Sequence, residues 1–237
     1  MNELFSSDIS LNHDTHIYTL ASNPKATFNS TTTVLHSLFA PFEKEKIAER
    51  LVSNVPKYAS YTAESLIAEW DQAGIDGTTV HNELEDYIND GTLPVTLKGK
   101  QGLAWLNQFT KDKYNWYSEV IIYSTEFGIS GTIDLLVHDP IKDIYTIIDW
   151  KTNKAIKKRA FGRKKGLHFI TKHLPDSNYW HYALQLSMYR LILEEIYGKT
   201  VKTQALVHLS EGDYTEYELP YLKEEVARVA AANIILK

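Results

Sequence analysis

Apolar and polar positions change rhythm along the chain. Up to residue 112 the spacing is helical. "NSTTTVLHSLFAPFEKEKIAERLVSN" begins on a Ser/Thr-rich cap with Pro41 near a break. "YTAESLIAEWDQAG" (61–74) has Thr62 as a fitting N-cap and Gly74 as a fitting C-cap. "DGTTVHNELEDYINDG" then predicts a separate helix from Thr78 or Thr79 to Gly91, with Val80, Leu84, Tyr87 and Ile88 as its apolar stripe. A short helix fits 99–112, and a short strand fits 16–20 ahead of them all. From residue 115 the period shortens to that of strands: 115–123, 128–137 and 144–151. A long helix over 177–198, strands at 203–209 and 214–219, and a closing helix from about Leu222 complete the pattern. This order predicts an α/β fold, a central mixed sheet flanked by helices, preceded by an N-terminal helical region. One domain is expected over 1–237, with 1–75 as the N-terminal strand and helical region, 76–220 as the core and 221–237 as the C-terminal helix.

Two of the strands carry charges where a buried sheet discourages them. Asp134 lies in "GTIDLLV", and Asp149 in "IIDWK", which runs straight into Lys151. Asp139-Pro140 opens a turn between these strands. A hairpin centred between Ile141 and Lys142 pairs His138 with Tyr145, Leu136 with Ile147, and Asp134 with Asp149. Lys151 then shares their face, one step beyond Asp149. Facing carboxylates repel, and a hard divalent cation such as Mg²⁺ resolves the clash while leaving room for water and phosphate oxygens. An adjacent lysine could then orient or deprotonate a water, or stabilise a pentavalent phosphate. The alternative is a salt-bridged cluster at a strand end. His81 and Glu85 lie together along one edge of their helix, within reach of a metal at the end of a sheet or simply packed there. Gln185 and Tyr189 are one turn apart on an otherwise apolar helix, and need partners there.

Composition removes whole classes of function. The 237 residues contain no cysteine, which excludes disulfides, cysteine zinc sites and iron–sulphur clusters. Neither a leader sequence nor a membrane span is recognisable, so a soluble, cytoplasmic protein is expected. "GKT" at 198–200 is no phosphate-binding loop, because Leu193 stands where that motif needs glycine. The formal net charge of −5 conceals a contrast: residues 151–175 hold nine Lys or Arg and no acid. Lys154, Lys157, Lys158, Arg159, Arg163, Lys164, Lys165 and Lys172 follow Lys151 in this segment, as a DNA-guiding track or a solvated loop. Phe161, His168 and Phe169 are interspersed, for base stacking or for local packing.

The ordered set "GTTVHNELEDY", "SEVIIY", "SGTIDLLV", "IIDWKT" and "YALQLSMYR" resembles the PD-(D/E)XK nuclease superfamily, and within it the RecB-like exonucleases, including small phage and mitochondrial examples. The resemblance implies a restriction-endonuclease-like core and Mg²⁺ or Mn²⁺ held by His81, Asp134, Asp149 and the Trp150 carbonyl. It implies Lys151 as the catalytic lysine, with Gln185 and Tyr189 supporting that lysine or the DNA. Glu85 matches the acid of members that lack the histidine, and a second-metal role stays open; Glu119 has no settled role. Ile133 stands where the nominal proline would be. The implied substrate is single-stranded DNA or DNA with free ends, any unwinding being left to a helicase or recombination partner. Two other readings remain: an endonuclease of the same fold, and a DNA-binding module without catalysis.

Overall fold

The computed structural model describes residues 4–12, 15, 17–109 and 113–235, with side chains up to residue 233. Its element order is β1 (Ile9–Asn12), β2 (Ile17–Leu20), β3 (Asn29–Ser30), α1 (Thr31–His36), α2 (Lys44–Asn54), α3 (Ala63–Asp90), α4 (Leu97–Leu106), β4 (Asn115–Ser124), β5 (Ile129–Asp139), β6 (Ile144–Lys151), α5 (Asn178–Glu195), β7 (Thr200–Leu209), β8 (Tyr214–Glu218) and α6 (Lys223–Ile235). His16 and residues 110–112, at the ends of an expected strand and helix, lie outside the described residues. The helix expected to reach 112 stops at Leu106, capped by Asn107.

Six strands form one mixed sheet in which β4, β5, β6, β7 and β8 are successive neighbours, and β3 runs parallel to the start of β5. The β6–β7 pair is parallel, as its crossover through α5 requires. One face packs on α1, α5 and α6 through Ile133, Leu136, Ile147, Leu184 and Met188. The other packs on α3 and α4 through Val80, Leu84, Trp105, Leu135, Ile148 and Trp150. The β1–β2 hairpin closes a third small cluster over Tyr123. This is the three-layer α/β arrangement expected of a restriction-endonuclease-like core. No helix among the described residues is long and apolar enough to cross a membrane.

Residues 63–90 form one helix of 28 residues, not two. Thr62 caps it with Ser65, and Gly91 ends it at φ 84°, as expected. Gly74 does not terminate anything. Each glycine costs a helix interior about 1 kcal/mol, too little to break a helix held by packing along its length. The hydroxyls of Thr78 and Thr79 donate back to the carbonyls of Gly74 and Ile75 instead of capping a new helix. Gly77 has its own reason: a Cβ there would lie 2.9 Å from the Thr152 hydroxyl, so α3 passes close to the chain just after Lys151. The helix therefore runs through position 75, where the N-terminal region was expected to meet the core.

Candidate active site

The β5–β6 hairpin has the register read from its turn. Leu136 pairs with Ile147 and His138 with Tyr145, and the last rung is Leu135 with Ile148. Asp134 and Asp149 would form the next one. There the strands part, and the Asp134 carboxylate accepts from the Trp150 N–H at 2.9 Å, taking the place of a backbone acceptor. On the same edge β3 pairs with β5 only at Ile129 and Ser130. The site lies where the β6 ladder has ended and that of β3 has not begun.

The other side of β5 is irregular at the same point. β4 pairs Ser118 with Leu135 and Val120 with Ile133, and the ladder skips Glu119 and Asp134 between them. Glu119 has φ 47°, in the left-handed region that non-glycine residues rarely occupy. Both strands also change phase here. Ile133 faces the α5 side and Leu135 the α3 side, two residues apart, where strict alternation would put them on one face. Trp116 and Val120 show the same switch across Glu119. This local kink turns the Glu119 and Asp134 carboxyls toward α3, where His81 waits. Ligand atoms of His81, Glu119 and Asp134 all lie within 4.8 Å of one another.

His81 is oriented by the backbone. Its Nε2–H donates to the Trp150 carbonyl at 3.1 Å, since a carbonyl can only accept. Nδ1 then faces Asp134 Oδ2 at 3.4 Å. An imidazole whose other nitrogen donates to a carbonyl is the usual arrangement for a metal-binding histidine. Trp150, expected as a carbonyl ligand, supplies the acceptor that aims His81.

Asp149 and Lys151 project to the α5 face. Asp149 is 2% exposed, and its Oδ2 lies 2.5 Å from Lys151 Nζ. The two form a buried ion pair. The Lys151 ammonium also lies 4.6 Å from the centre of the Tyr182 ring, a cation–π contact. Burial pulls this ammonium down, but Asp149 and Asp134 outweigh it and leave the group above the usual lysine range. Burial pushes the Asp149 carboxyl up to about 6, Asp134 adding to the effect and Lys151 opposing it. Glu119 goes further, to about 8, through burial and then the charges of Asp134, Glu85 and Asp149. This set carries more negative charge than its surroundings can stabilise, and a divalent cation fits its imidazole and carboxylate donors.

Gln185 donates to the Tyr189 hydroxyl at 3.0 Å, so these two satisfy each other. Burial raises the Tyr189 hydroxyl well above the usual tyrosine range, and Asp149 and Asp134 are near enough to raise it further. Its ring lies against β5 at Gly131, where a Cβ would be 2.4 Å from Cε1. Glu85 reaches the site electrostatically, through Glu119. Sequence reasoning missed Tyr182, although it lies three residues before Gln185 on the same helical face. It missed Tyr18 as well: the hydroxyl meets that of Thr132 at 3.0 Å, and Glu119 raises its pKa after burial does.

The basic segment leaves β6 as an extended loop whose backbone is tied down at intervals. Lys98 donates to the Thr152 carbonyl, His208 to that of Asn153, and Trp180 to that of Lys158. Asn178 holds both Ala155 and Lys157. Further on, the amides of Leu167 and His168 and the Thr171 hydroxyl all donate to the Leu38 carbonyl. The side chains of Lys154, Lys157, Lys158, Arg159, Arg163, Lys164, Lys165 and Lys172 are exposed. Of these eight, Lys154 alone has an ion-pair partner among the described residues, Glu69 at 2.8 Å. Phe161 is 84% exposed and Phe169 64%, the latter against His168.

The family model of the PD-(D/E)XK nuclease superfamily matches residues 33–234. No curated protein matches the sequence. Among solved structures, the crystal structure of SSO0001 is similar at 17% identity over 91% of this chain and 78% of that one, with a TM-score of 0.40. An exonuclease candidate from Eubacterium rectale is similar at 14% identity over 67% of this chain and 66% of that one, with a TM-score of 0.41.

Proposed function

The chain belongs to the PD-(D/E)XK nuclease superfamily, and we propose that it is a divalent-metal-dependent exonuclease acting on single-stranded DNA or DNA ends. The observation that carries this reading is the kinked rung at Glu119 and Asp134, which brings two carboxyls to His81 beside a buried lysine. His81, Glu119 and Asp134, with Asp149 alongside, would hold Mg²⁺ or Mn²⁺. Such an ion supplies a Lewis acid for the phosphate and lowers the pKa of a water.

The protein's own groups do the rest. Lys151, whose ammonium Asp149 and Asp134 hold above the usual lysine range, would donate a hydrogen bond to a non-bridging phosphate oxygen. Asp149 and the Tyr182 ring fix where that ammonium points. Tyr189, braced by Gln185, fills the space over Gly131 and excludes water from the far side of the carboxylates. Glu85 adds negative charge on the α3 side and favours ionic binding there. The exposed basic residues from Lys154 to Lys172 draw the strand in by phosphate neutralisation, and Phe161 and Phe169 offer faces to unpaired bases. A cytoplasmic setting, with a helicase or recombination partner supplying unwound ends, suits an enzyme of this kind.

The test is digestion of end-labelled single-stranded, duplex and circular DNA with Mg²⁺ or Mn²⁺, with EDTA and Lys151→Ala as controls. The exonuclease reading expects linear single strands to shorten, circles to survive, and both controls to stop the reaction. Cut circles would make the protein an endonuclease of the same fold. Intact DNA of every form, with binding retained, would make it a DNA-binding module.

A further inference from the structure

A cavity of about 160 Å³ opens between α1 and α5 and is lined by Thr32, Leu35, His36, Asn178, His181, Tyr182 and Gln185. It shares walls with the catalytic site. Tyr182 carries the Lys151 ammonium on its ring, and Gln185 braces Tyr189. Asn178, on its rim, is the residue that ties Ala155 and Lys157 of the basic segment in place. A strand drawn along that segment toward Lys151 therefore passes the mouth of this cavity.

The lining states what could enter. It contains no Lys, Arg, Asp or Glu. His181 is committed to Asp176 at 2.9 Å, and burial holds its imidazole below the usual histidine range. A phosphate would find no permanent cation there. The walls are instead flat or apolar: the His36 and His181 rings, with centroids 6.3 Å apart, the Tyr182 ring and Leu35. Phe39 packs on His181 at 4.0 Å and fixes that ring. The uncommitted polar groups can both donate and accept hydrogen bonds. They are the Gln185 amide oxygen, the Thr32 hydroxyl, shared only with Ser30, and the ring nitrogens of His36. Aromatic walls with donors and acceptors at the edge are how proteins hold an unstacked base.

We propose that this cavity receives the nucleobase adjacent to the scissile phosphate, turned out of the strand between α1 and α5 as its phosphate reaches Lys151. The inference rests on the nuclease reading above and deepens it. It makes an unpaired nucleotide a requirement of the site, because a base inside a duplex cannot enter the cavity.

The experiment uses the full chain with Mn²⁺ and single-stranded oligonucleotides carrying one abasic residue, moved one position at a time from the labelled end. Cleavage should slow by about ten-fold or more at one bond only, when the missing base is next to it, in line with the loss of one stacked base. His36→Ala and Thr32→Val, both at exposed positions, should slow cleavage of ordinary DNA but add nothing at the abasic bond. Melting temperatures of both variants should match that of the parent. Uniform cleavage past every abasic position, or variant effects that multiply with the abasic effect, overturns the proposal and leaves the nuclease reading standing. If no oligonucleotide is cut at all, the nuclease reading fails and the proposal with it.

Discussion

Glu119 stands opposite Asp134 across β4 and β5, at a rung the ladder skips and where Glu119 itself adopts φ 47°. Backbone strain of this kind costs on the order of 1–3 kcal/mol and persists only where the surroundings enforce it. Here it sets two carboxyls side by side, and the consequence is a pH dependence. The Glu119 carboxyl rises from 4.5 to about 8, burial being the largest cause. A carboxyl raised by folding stabilises fully below its ordinary pKa, and that contribution is lost as pH rises through the folded value. Asp149, raised from 3.8 to about 6, acts with the same sign at lower pH. Thermal melts without metal should therefore fall by about 5 °C or more between pH 5 and pH 8. Glu119→Gln should remove the part above pH 6 and leave below it only the fall that Asp149 contributes. Added Mg²⁺ should raise the melting temperature more at pH 8 than at pH 6, because the Glu119 proton must leave first. Melts with the same slope in both proteins would disprove this assignment.

Lys151 and Tyr182 should separate chemistry from binding. Lys151→Ala is expected to lower the rate of hydrolysis by about 10²-fold or more while single-stranded DNA still binds. Tyr182→Phe keeps the ring beneath the ammonium and should retain most activity. Tyr182→Leu removes it, together with a flat wall of the cavity between α1 and α5, and should lower kcat and raise KM. Single-turnover cleavage beside fluorescence anisotropy distinguishes the two effects.

Gly131→Ala should destabilise the protein although alanine suits a strand better than glycine. Its Cβ would meet Tyr189 Cε1 at 2.4 Å and the Thr31 hydroxyl at 3.1 Å. Overpacking of this kind costs about 1–3 kcal/mol. A smaller residue at 189, as in Tyr189→Leu, should restore part of the melting temperature in the double variant without restoring nuclease activity.

Replacing Lys157, Lys158, Arg159 and Arg163 by Gln should weaken single-stranded DNA binding and flatten its salt dependence. For single strands the slope of log K against log salt falls by about 0.7 for each phosphate that the protein no longer neutralises. All four side chains are exposed, so the melting temperature should hardly change. An unchanged salt slope would show that the strand takes another route.

The hairpin register was legible because turn chemistry and period-two alternation both act locally: Asp139-Pro140 marks the turn, and the Asp139 carboxylate accepts from Ile141 and Lys142 within it. The continuity of α3 was not. Two glycines within four residues suggest a break, yet the need for close approach at Thr152 lies 75 positions away in sequence. The place of Glu119 was hidden for a related reason. Nothing around it in "YSEVIIY" announces a positive φ, which the neighbouring strand and Asp134 impose. Asp149 was expected as a ligand from its register and from the family resemblance; the buried ion pair with Lys151 became visible only with the α5 face in place. Tyr182 shows the same limit, since a ring beneath an ammonium joins two elements whose relative placement no local pattern encodes.

The single helix α3 has one more consequence. Glu69, which holds Lys154 at the head of the basic segment, and His81, which opens the catalytic site, are carried on the same unbroken rod. Twelve residues of helix separate them, about 18 Å at 1.5 Å per residue. Were the rod jointed at Gly74, that spacing could vary as the joint flexed. Because it is not, the spacing of the two marks is fixed, and under the proposed nuclease reading a strand held at Lys154 would have to project by that much to be cut beside His81.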